Sequence, residues 1–92
     1  MHQQKVAVVT GAGSGIGRAV ALALAKANFQ VVLVGRREEA LLATQAMGDA
    51  SALHPMPADV SDHHAVAHVF EQVEEQFGRL DVLFNNAGRG AP

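Results

Sequence analysis

The sequence contains no cysteine, no tryptophan and no tyrosine, and only 17% of its 92 residues are charged. Because cysteine is absent, the chain cannot form a disulfide framework, a thiolate metal site or a cysteine nucleophile. The scarcity of charge, together with 49% hydrophobic residues, argues against intrinsic disorder. A chain of this length is expected to form one small domain with a modest core.

Neither sign of charge dominates, because the formal net charge is only −2. The chain therefore offers no basic field that would attract nucleic acid or an anionic membrane surface. Its uncharged apolar stretches are far shorter than the ~20 residues that a membrane span needs. The first five residues lack the charged and apolar regions of a signal peptide. We expect a cytoplasmic protein with neither nucleic acid nor membrane as a partner.

Short apolar runs alternate along the chain with longer segments of helical periodicity. Strands are predicted at residues 6–9, 30–34, 53–58 and 80–84, and helices at residues 16–27, 38–47 and 62–77. Strands separated by such helices form a parallel sheet through right-handed crossovers. The expected fold class is α/β, a doubly wound parallel sheet with elements in the order β-α-β-α-β-α-β. Pro55 and Pro57 place the third strand at a sheet edge, because proline cannot donate to a central ladder.

Two helices have a recognisable apolar face and recognisable ends. The face of the first helix is predicted to contain Ile16, Val20, Ala23, Leu24 and Ala27. The face of the third is predicted to contain Val66, Val69, Phe70, Val73 and Phe77. Asn28 and Gly78 are expected to end these helices, and Ser61 or Asp62 is expected to cap the third.

A glycine-rich segment, Thr10-Gly11-Ala12-Gly13-Ser14-Gly15-Ile16-Gly17, joins the first strand to the first helix. Its spacing fits neither G-x-G-x-x-G nor the phosphate-loop pattern, but it fits T-G-x-x-x-G-x-G. Glycines let a diphosphate approach the backbone, and the helix start offers unpaired N–H groups to the phosphates. The alternative interpretation is a turn with a structural role alone.

With three later motifs, this segment resembles the short-chain dehydrogenase/reductase family. The later motifs are Gly35-Arg36-Arg37, Ala58-Asp59-Val60 and Asn85-Asn86-Ala87-Gly88. Each lies at the carboxyl end of a predicted strand, and the carboxyl ends of the strands are where open α/β sheets bind ligands. The resemblance implies a Rossmann-type fold, of which residues 1–92 would form the N-terminal part of a dinucleotide-binding domain.

The resemblance also implies which residues contact a nicotinamide dinucleotide. The glycine segment would hold the diphosphate through Gly11, Gly13, Ser14, Gly15, Ile16 and Gly17. Asp59 would bind the adenine amino group, and Val60 would contribute backbone. Asn86, Ala87 and Gly88 would line the adenosine ribose, and Asn86 would also steady the central strands. From the residues alone, Asp59 is equally interpretable as a helix cap, and Asn85-Asn86 as a polar turn.

The residues after the second strand favour NADP over NAD. An NAD site usually places a carboxylate there for the ribose 2′-hydroxyl, whereas this chain has Gly35 followed by Arg36 and Arg37. A guanidinium can hold the 2′-phosphate of NADP through charge-assisted hydrogen bonds. Ser14 stands where some NADP-dependent members carry a basic residue. The alternative is a solvated turn whose arginines pair with Glu38 and Glu39.

Other polar residues are interpreted as structural. His64 and His68 have a spacing that can hold zinc, but with His63 they are expected on the solvated face of the third helix, so no metal site is predicted. Asp81 is predicted to lie in the fourth strand as a hydrogen-bonding group. Ser14, by contrast, lacks a neighbouring base that would make it a nucleophile, and phosphate binding by its hydroxyl or N–H is favoured instead.

The family's Tyr-x-x-x-Lys catalytic pair has no counterpart in the chain, which lacks tyrosine and has lysines only at Lys5 and Lys26. We therefore assign no catalytic residue and expect a truncated chain that binds the cofactor but is inactive alone. The parent enzyme would transfer hydride between NADP(H) and a carbonyl/alcohol pair. An unpaired outer edge of the fourth strand would favour self-association.

Two other functions stay open at this point. One is a standalone nucleotide-binding or partner-binding module without catalysis. The other is a fragment of an S-adenosylmethionine-dependent methyltransferase, because residues 11–15 also fit G-x-G-x-G. Such a site would need an acid after the second strand for the ribose hydroxyls, and Gly35-Arg36 argues against it.

Overall fold

A computed structural model, which describes residues 4–86, contains the seven predicted elements in the predicted order. They are β1 (Val6–Thr10), α1 (Gly15–Lys26), β2 (Gln30–Gly35), α2 (Glu38–Ala46), β3 (Leu53–Pro57), α3 (His63–Phe77) and β4 (Val82–Phe84). Most observed boundaries lie within one residue of the predicted ones, and β4 begins two residues later than expected.

The four strands form one parallel sheet in the order β3-β2-β1-β4. Ala7 of β1 is in register with Val31 of β2 on one side and with Val82 of β4 on the other. The edge position predicted for β3 is confirmed, and Pro55 and Pro57 fit there because an edge strand needs fewer ladder donors. The fold is the expected doubly wound, Rossmann-type α/β sheet.

The core has two layers, one on each face of the sheet. Because alternate strand residues point to opposite faces, Val9 and Leu33 pack with Leu41 of α2, whereas Val8 and Val32 pack with Val69 of α3. Helices α1 and α2 therefore cover one face and α3 covers the other. Every residue of β1 is buried, as expected of a central parallel strand.

The predicted apolar face of α1 is displaced by about one residue from the observed one. Gly17 and Ala21 are the buried positions, whereas Ile16 is 67% exposed and Ala23 and Ala27 are also exposed. The predicted Val20 and Leu24 do pack against the core. The prediction followed the larger apolar side chains and did not include Gly17, which has no side chain to signal its burial. The close approach of Gly17 to the preceding loop sets the rotation instead.

The predicted helix ends are confirmed. Asn28 and Gly78 adopt left-handed backbone conformations, with φ of 76° and 72°. The side chain of Asp62 caps α3 by accepting hydrogen bonds from the backbone N–H groups of His64 and Ala65. Among the described residues, no helix has both the length and the apolar character needed to cross a bilayer.

Candidate functional site

A cleft of about 840 Å³ lies at the carboxyl ends of β1, β2 and β3. Three segments line it, each following one of these strands in the chain. They contribute Gly11, Gly13, Ser14 and Arg18; Gly35, Arg36, Arg37, Glu39, Ala40, Leu41 and Ala43; and Ala58, Asp59, Val60 and Ser61. The structure thus brings together three of the four motifs singled out in the sequence.

The glycine segment is shaped by two close approaches that exclude a Cβ atom. A Cβ on Gly17 would lie 2.0 Å from the carbonyl oxygen of Gly11, so only glycine lets α1 start this close to the loop. A Cβ on Gly13 would lie 2.8 Å from the Cβ of Ala40. Gly13 therefore permits contact between the loop and α2. Both glycines contribute to the site through packing.

The start of α1 is the open side of the same segment. Gly15 has a φ of +55°, and a Cβ there would meet no atom within 4 Å. Ser14 is the N-cap residue and its side chain makes no capping hydrogen bond. Ser14, Gly15 and Ile16 are all exposed. Backbone N–H groups in the first helical turn are therefore available to an anion.

A hydrogen-bond network that the sequence analysis missed joins the glycine segment to α2. The Nε atom of Arg18 donates to the Oγ1 atom of Thr44 at 2.8 Å, and its Nη2 atom donates to the carbonyl oxygen of Gly13 at 2.6 Å. Thr44 is fully buried and donates to the carbonyl oxygen of Ala12 at 2.7 Å. Arg18 and Thr44 are 26 residues apart, and no sequence spacing signals their contact.

The two arginines after β2 differ in their partners. The Nε atom of Arg37 lies 3.0 Å from the Oε2 atom of Glu39, and both side chains are exposed. A hydrogen bond from its own backbone and the bond from Arg37 lower the pKa of Glu39. The predicted alternative, pairing with an acid of α2, therefore holds for Arg37. Arg36 is exposed, lines the cleft and has no hydrogen bond or ion pair to another residue within 4–86.

Asp59 lies in a tight turn that lines the cleft. Its Oδ1 atom accepts hydrogen bonds from the backbone N–H and the hydroxyl of Ser61, at 2.9 Å and 2.7 Å. These bonds are the main cause of the lowered pKa of Asp59, and the charge of Arg36 adds to the effect. Asp59 is not the helix cap that one interpretation suggested, because Asp62 occupies that position. The Asp59 carboxylate is ionised at neutral pH.

The fourth motif begins where β4 ends. The Oγ1 atom of Thr10 donates to the Oδ1 atom of Asn85 at 3.0 Å and accepts from the backbone N–H of Asn86 at 2.8 Å. These bonds join the carboxyl end of β4 to that of β1. The Nδ2 atom of Asn86 also lies 3.2 Å from where a Cβ on Gly17 would be. Ala87 and Gly88, two of the predicted cofactor contacts, lie outside the described residues.

The three histidines of α3 lie away from the cleft. His63, His64 and His68 are exposed on α3, as expected of a solvated face. Within residues 4–86, no three His, Asp or Glu side chains are close enough to hold a metal ion.

Asp81 precedes β4, although the sequence placed it inside the strand. It accepts two hydrogen bonds from Arg79 and one from the backbone N–H of Val6. The Arg79 bonds, followed by the Val6 bond, lower the pKa of Asp81 to about 2.

Comparison with known proteins places these features in a family. The family model for short chain dehydrogenases matches residues 5–92. The farnesol dehydrogenase of Aedes aegypti is 51% identical over 87 residues, which cover 91% of this chain and 36% of that protein. The chain therefore spans about a third of the length of the relatives it matches.

Solved structures of the same fold have been obtained with either nicotinamide cofactor. The L-sorbose reductase of Gluconobacter frateurii, complexed with NADPH and L-sorbose, is 37% identical with a TM-score of 0.86, over 97% of this chain and 35% of that one. The 3-ketoacyl-(acyl-carrier-protein) reductase of Brucella melitensis, complexed with NADH, is 35% identical with a TM-score of 0.79, over 88% and 33%. The chain, with its glycine segment and parallel sheet, belongs to the short chain dehydrogenase family.

Proposed function

We propose that residues 1–92 form the N-terminal, NADP(H)-binding part of a short-chain oxidoreductase that transfers hydride between NADP(H) and a carbonyl/alcohol pair. The observation that carries the proposal is the placement of Arg36. Its exposed guanidinium lines the same cleft as the glycine segment and forms no ion pair within residues 4–86, although its charge acts on Asp59. The substrate class of the whole protein is part of this proposal, because the chain spans only about a third of its relatives.

The geometry of the glycine segment fits a diphosphate. Gly11 lines the cleft, and Ser14, Gly15 and Ile16 leave the start of α1 open to an anion. Gly13 and Gly17 allow the loop to hold this shape against its neighbours. An uncapped helix N-terminus stabilises negative charge through its N–H groups and its dipole. These six residues form the proposed diphosphate-binding segment.

The basic turn after β2 fits the 2′-phosphate that distinguishes NADP from NAD. Because similar folds bind either cofactor, the selecting groups must lie among the side chains around the ribose. Gly35 supplies no carboxylate that would repel a phosphate, and Arg36 can donate to it through a charge-assisted fork. Arg37, which is held by Glu39, would contribute mainly positive charge.

The remaining proposed contacts surround the adenosine. Both hydrogen bonds from Ser61 go to the Oδ1 atom of Asp59, which supports the proposal that Oδ2 accepts from the adenine amino group. Val60 lines the same part of the cleft. The ribose contacts proposed for Asn86, Ala87 and Gly88 rest on the family motif.

When bound, the nicotinamide supplies or accepts the hydride. The residues of this chain would bind and orient it, and we propose no catalytic residue among them. Since the chain has no tyrosine, we propose that it binds the cofactor without turning over a substrate. The cytoplasmic location stays a prediction.

We also propose that copies of the chain associate through β4. Within residues 4–86, β4 has a strand partner on one side only, and Leu83 on this strand is 49% exposed. Exposed apolar edge strands favour pairing with a second chain.

Isothermal titration with NADPH, NADH and S-adenosylmethionine tests the proposed function. We expect saturable binding of NADPH, weaker binding of NADH and no binding of S-adenosylmethionine. Thermal unfolding followed with each ligand is an independent measurement, since a ligand that binds the folded state raises its stability. Binding of S-adenosylmethionine alone would favour a methyltransferase, and failure of both dinucleotides to bind would refute the proposal.

A further inference from the structure

One guanidinium connects three separate segments of the cleft wall. Arg18 belongs to α1, and it donates to the carbonyl oxygens of Gly13 at 2.6 Å and of Ala40 at 3.3 Å. Its Nε atom donates to the hydroxyl of Thr44 at 2.8 Å, and this hydroxyl donates to the carbonyl oxygen of Ala12 at 2.7 Å. The glycine segment, α1 and α2 are thus joined by a single network, which we term the Arg18–Thr44 clamp.

The clamp lies between the two proposed phosphate subsites. The diphosphate subsite belongs to the glycine segment, whereas Arg36 belongs to the turn that leads directly into α2 at Glu38. Whatever fixes α2 against the glycine segment therefore fixes the separation of the two subsites. The buried Thr44 hydroxyl makes this connection from the α2 side, and the contact of Gly13 with Ala40 reinforces it.

We propose that Arg18 and Thr44 are positioning residues that hold the glycine segment and the Arg36 turn at the separation required by a ligand with a diphosphate and a 2′-phosphate. The inference rests on the proposed function, because it concerns ligands of that cleft. A prearranged pair of subsites raises the affinity for a ligand that reaches both of them, because the protein loses less conformational freedom when the ligand binds. A ligand that reaches one subsite gains little from the clamp.

The geometry favours positioning over direct phosphate binding by Arg18. Its Nε and Nη2 atoms are both engaged, with two carbonyl oxygens and one hydroxyl. Thr44 separates the two roles experimentally, because Thr44→Val removes the hydroxyl at nearly constant volume and leaves every charge in place. Arg18→Lys is the complementary variant, since it keeps the charge but loses the planar fork.

The binding test compares a spanning ligand with a partial one in the full chain. NADPH reaches both subsites, whereas 2′-AMP carries the adenosine and the 2′-phosphate but no diphosphate. We expect Thr44→Val and Arg18→Lys each to lower the affinity for NADPH about tenfold and to change the affinity for 2′-AMP by less than about twofold. Thr44→Ser should restore NADPH binding, and Ala46→Gln on the exposed side of α2 serves as the matched control. If Thr44→Val does not fold, Arg18→Lys alone decides.

A second readout needs no ligand. The backbone N–H of Ala12 donates to the carbonyl oxygen of Val34 at 3.1 Å, which makes its hydrogen exchange a reporter of the glycine segment. We expect this exchange to accelerate at least about tenfold in Thr44→Val and to stay unchanged in Thr44→Ser and Ala46→Gln.

Three outcomes would overturn the inference. Equal losses of affinity for NADPH and 2′-AMP would indicate that the variants loosen the whole cleft. Unchanged affinity for both ligands would indicate that the network serves the fold alone. Loss of NADPH binding in Arg18→Met but not in Arg18→Lys or Thr44→Val would make Arg18 a direct charge contact. The proposed function fails separately, if the unaltered chain binds neither NADPH nor 2′-AMP, and the inference then fails with it.

Discussion

Two of the three segments that line the cleft, the glycine segment and the turn at Arg36 and Arg37, are held in place in different ways. The glycine segment is fixed by its surroundings, because a Cβ on Gly17 would clash with the Gly11 carbonyl and a Cβ on Gly13 would clash with Ala40. The turn at Arg36 and Arg37 is exposed, and its one ion pair within residues 4–86 joins two exposed side chains. Surface ion pairs of that kind contribute little to stability.

This difference separates the requirements of folding from those of ligand choice. Changes in the glycine segment disturb buried packing and should destabilise the protein whatever ligand it binds. Changes in the basic turn disturb no buried contact, so they should alter the ligand preference while leaving the fold intact.

The largest expected effect is a loss of stability in Gly17→Ala. The added Cβ would clash with the backbone of Gly11, so the start of α1 must move, at a cost of about 3 kcal/mol. Gly15→Ala is the matched control, because its Cβ meets open space and only the left-handed backbone is strained, at about 1 kcal/mol. Urea unfolding followed by circular dichroism measures both variants. Equal destabilisation would contradict the account of the glycine segment.

The next effect concerns the ligand and not the fold. Arg36→Gln should lower the affinity for NADPH about 10- to 100-fold, since a hydrogen bond between charged groups contributes about 1.5–3 kcal/mol. Arg37→Gln removes a side chain already paired with Glu39 and should weaken NADPH by less than about threefold. Isothermal titration gives the affinities, and thermal melts should place both variants within about 0.5 kcal/mol of the unaltered chain. If Arg37→Gln lowers the affinity for NADPH more than Arg36→Gln does, then Arg37 and not Arg36 is the main contact of the 2′-phosphate.

The exposed strand β4 extends the comparison to association. Leu83→Lys places a charge on an exposed strand position, and edge charges oppose pairing between chains. We expect the dissociation constant for self-association to rise at least about tenfold in sedimentation equilibrium. Leu42→Lys, on the exposed face of α2, is the control and should change association little. If the unaltered chain stays monomeric at millimolar concentration, the proposed edge pairing is wrong.

The smallest expected effect concerns the pH dependence of stability and involves Asp81, which accepts a hydrogen bond from the amino end of β1. Asp81 is exposed like the basic turn, but it is also held by hydrogen bonds like the glycine segment. Its pKa is lowered from 3.8 to about 2 in the folded chain, so ionised Asp81 stabilises the fold above pH 3.8. That contribution is lost as the pH falls from 3.8 through about 2. Asp81→Asn should lower the urea midpoint at pH 7, and its difference from the unaltered chain should shrink as the pH falls below 3.8 and be much smaller at pH 2.

Glu71→Gln, which changes an exposed carboxylate on α3, is the control for this experiment. Its urea midpoint should follow that of the unaltered chain at every pH. A constant difference between Asp81→Asn and the unaltered chain from pH 7 to pH 2 would exclude titration of Asp81 as the cause.

Much of the fold could be predicted from local signals. Buried parallel strands are continuous apolar runs, prolines mark an edge strand, and Asn28 and Gly78 mark helix ends. The face of α1 could be predicted only in part, because Gly17 has no apolar side chain that would signal its burial and its close approach to Gly11 depends on tertiary packing. The same limit applied to the site. Motifs after strands were located correctly, but the contact between Arg18 and Thr44 exists only once α1 and α2 lie side by side.

The most direct test of the account is the ratio of NADPH to NADH affinity in the unaltered chain and in Arg36→Gln, measured by isothermal titration in one buffer. We expect NADPH to bind the unaltered chain at least about tenfold more tightly than NADH, because Arg36 can pair with the 2′-phosphate. In Arg36→Gln this ratio should approach one through loss of NADPH binding alone. Equal affinities in the unaltered chain, or a ratio that survives the substitution, would contradict the central claim.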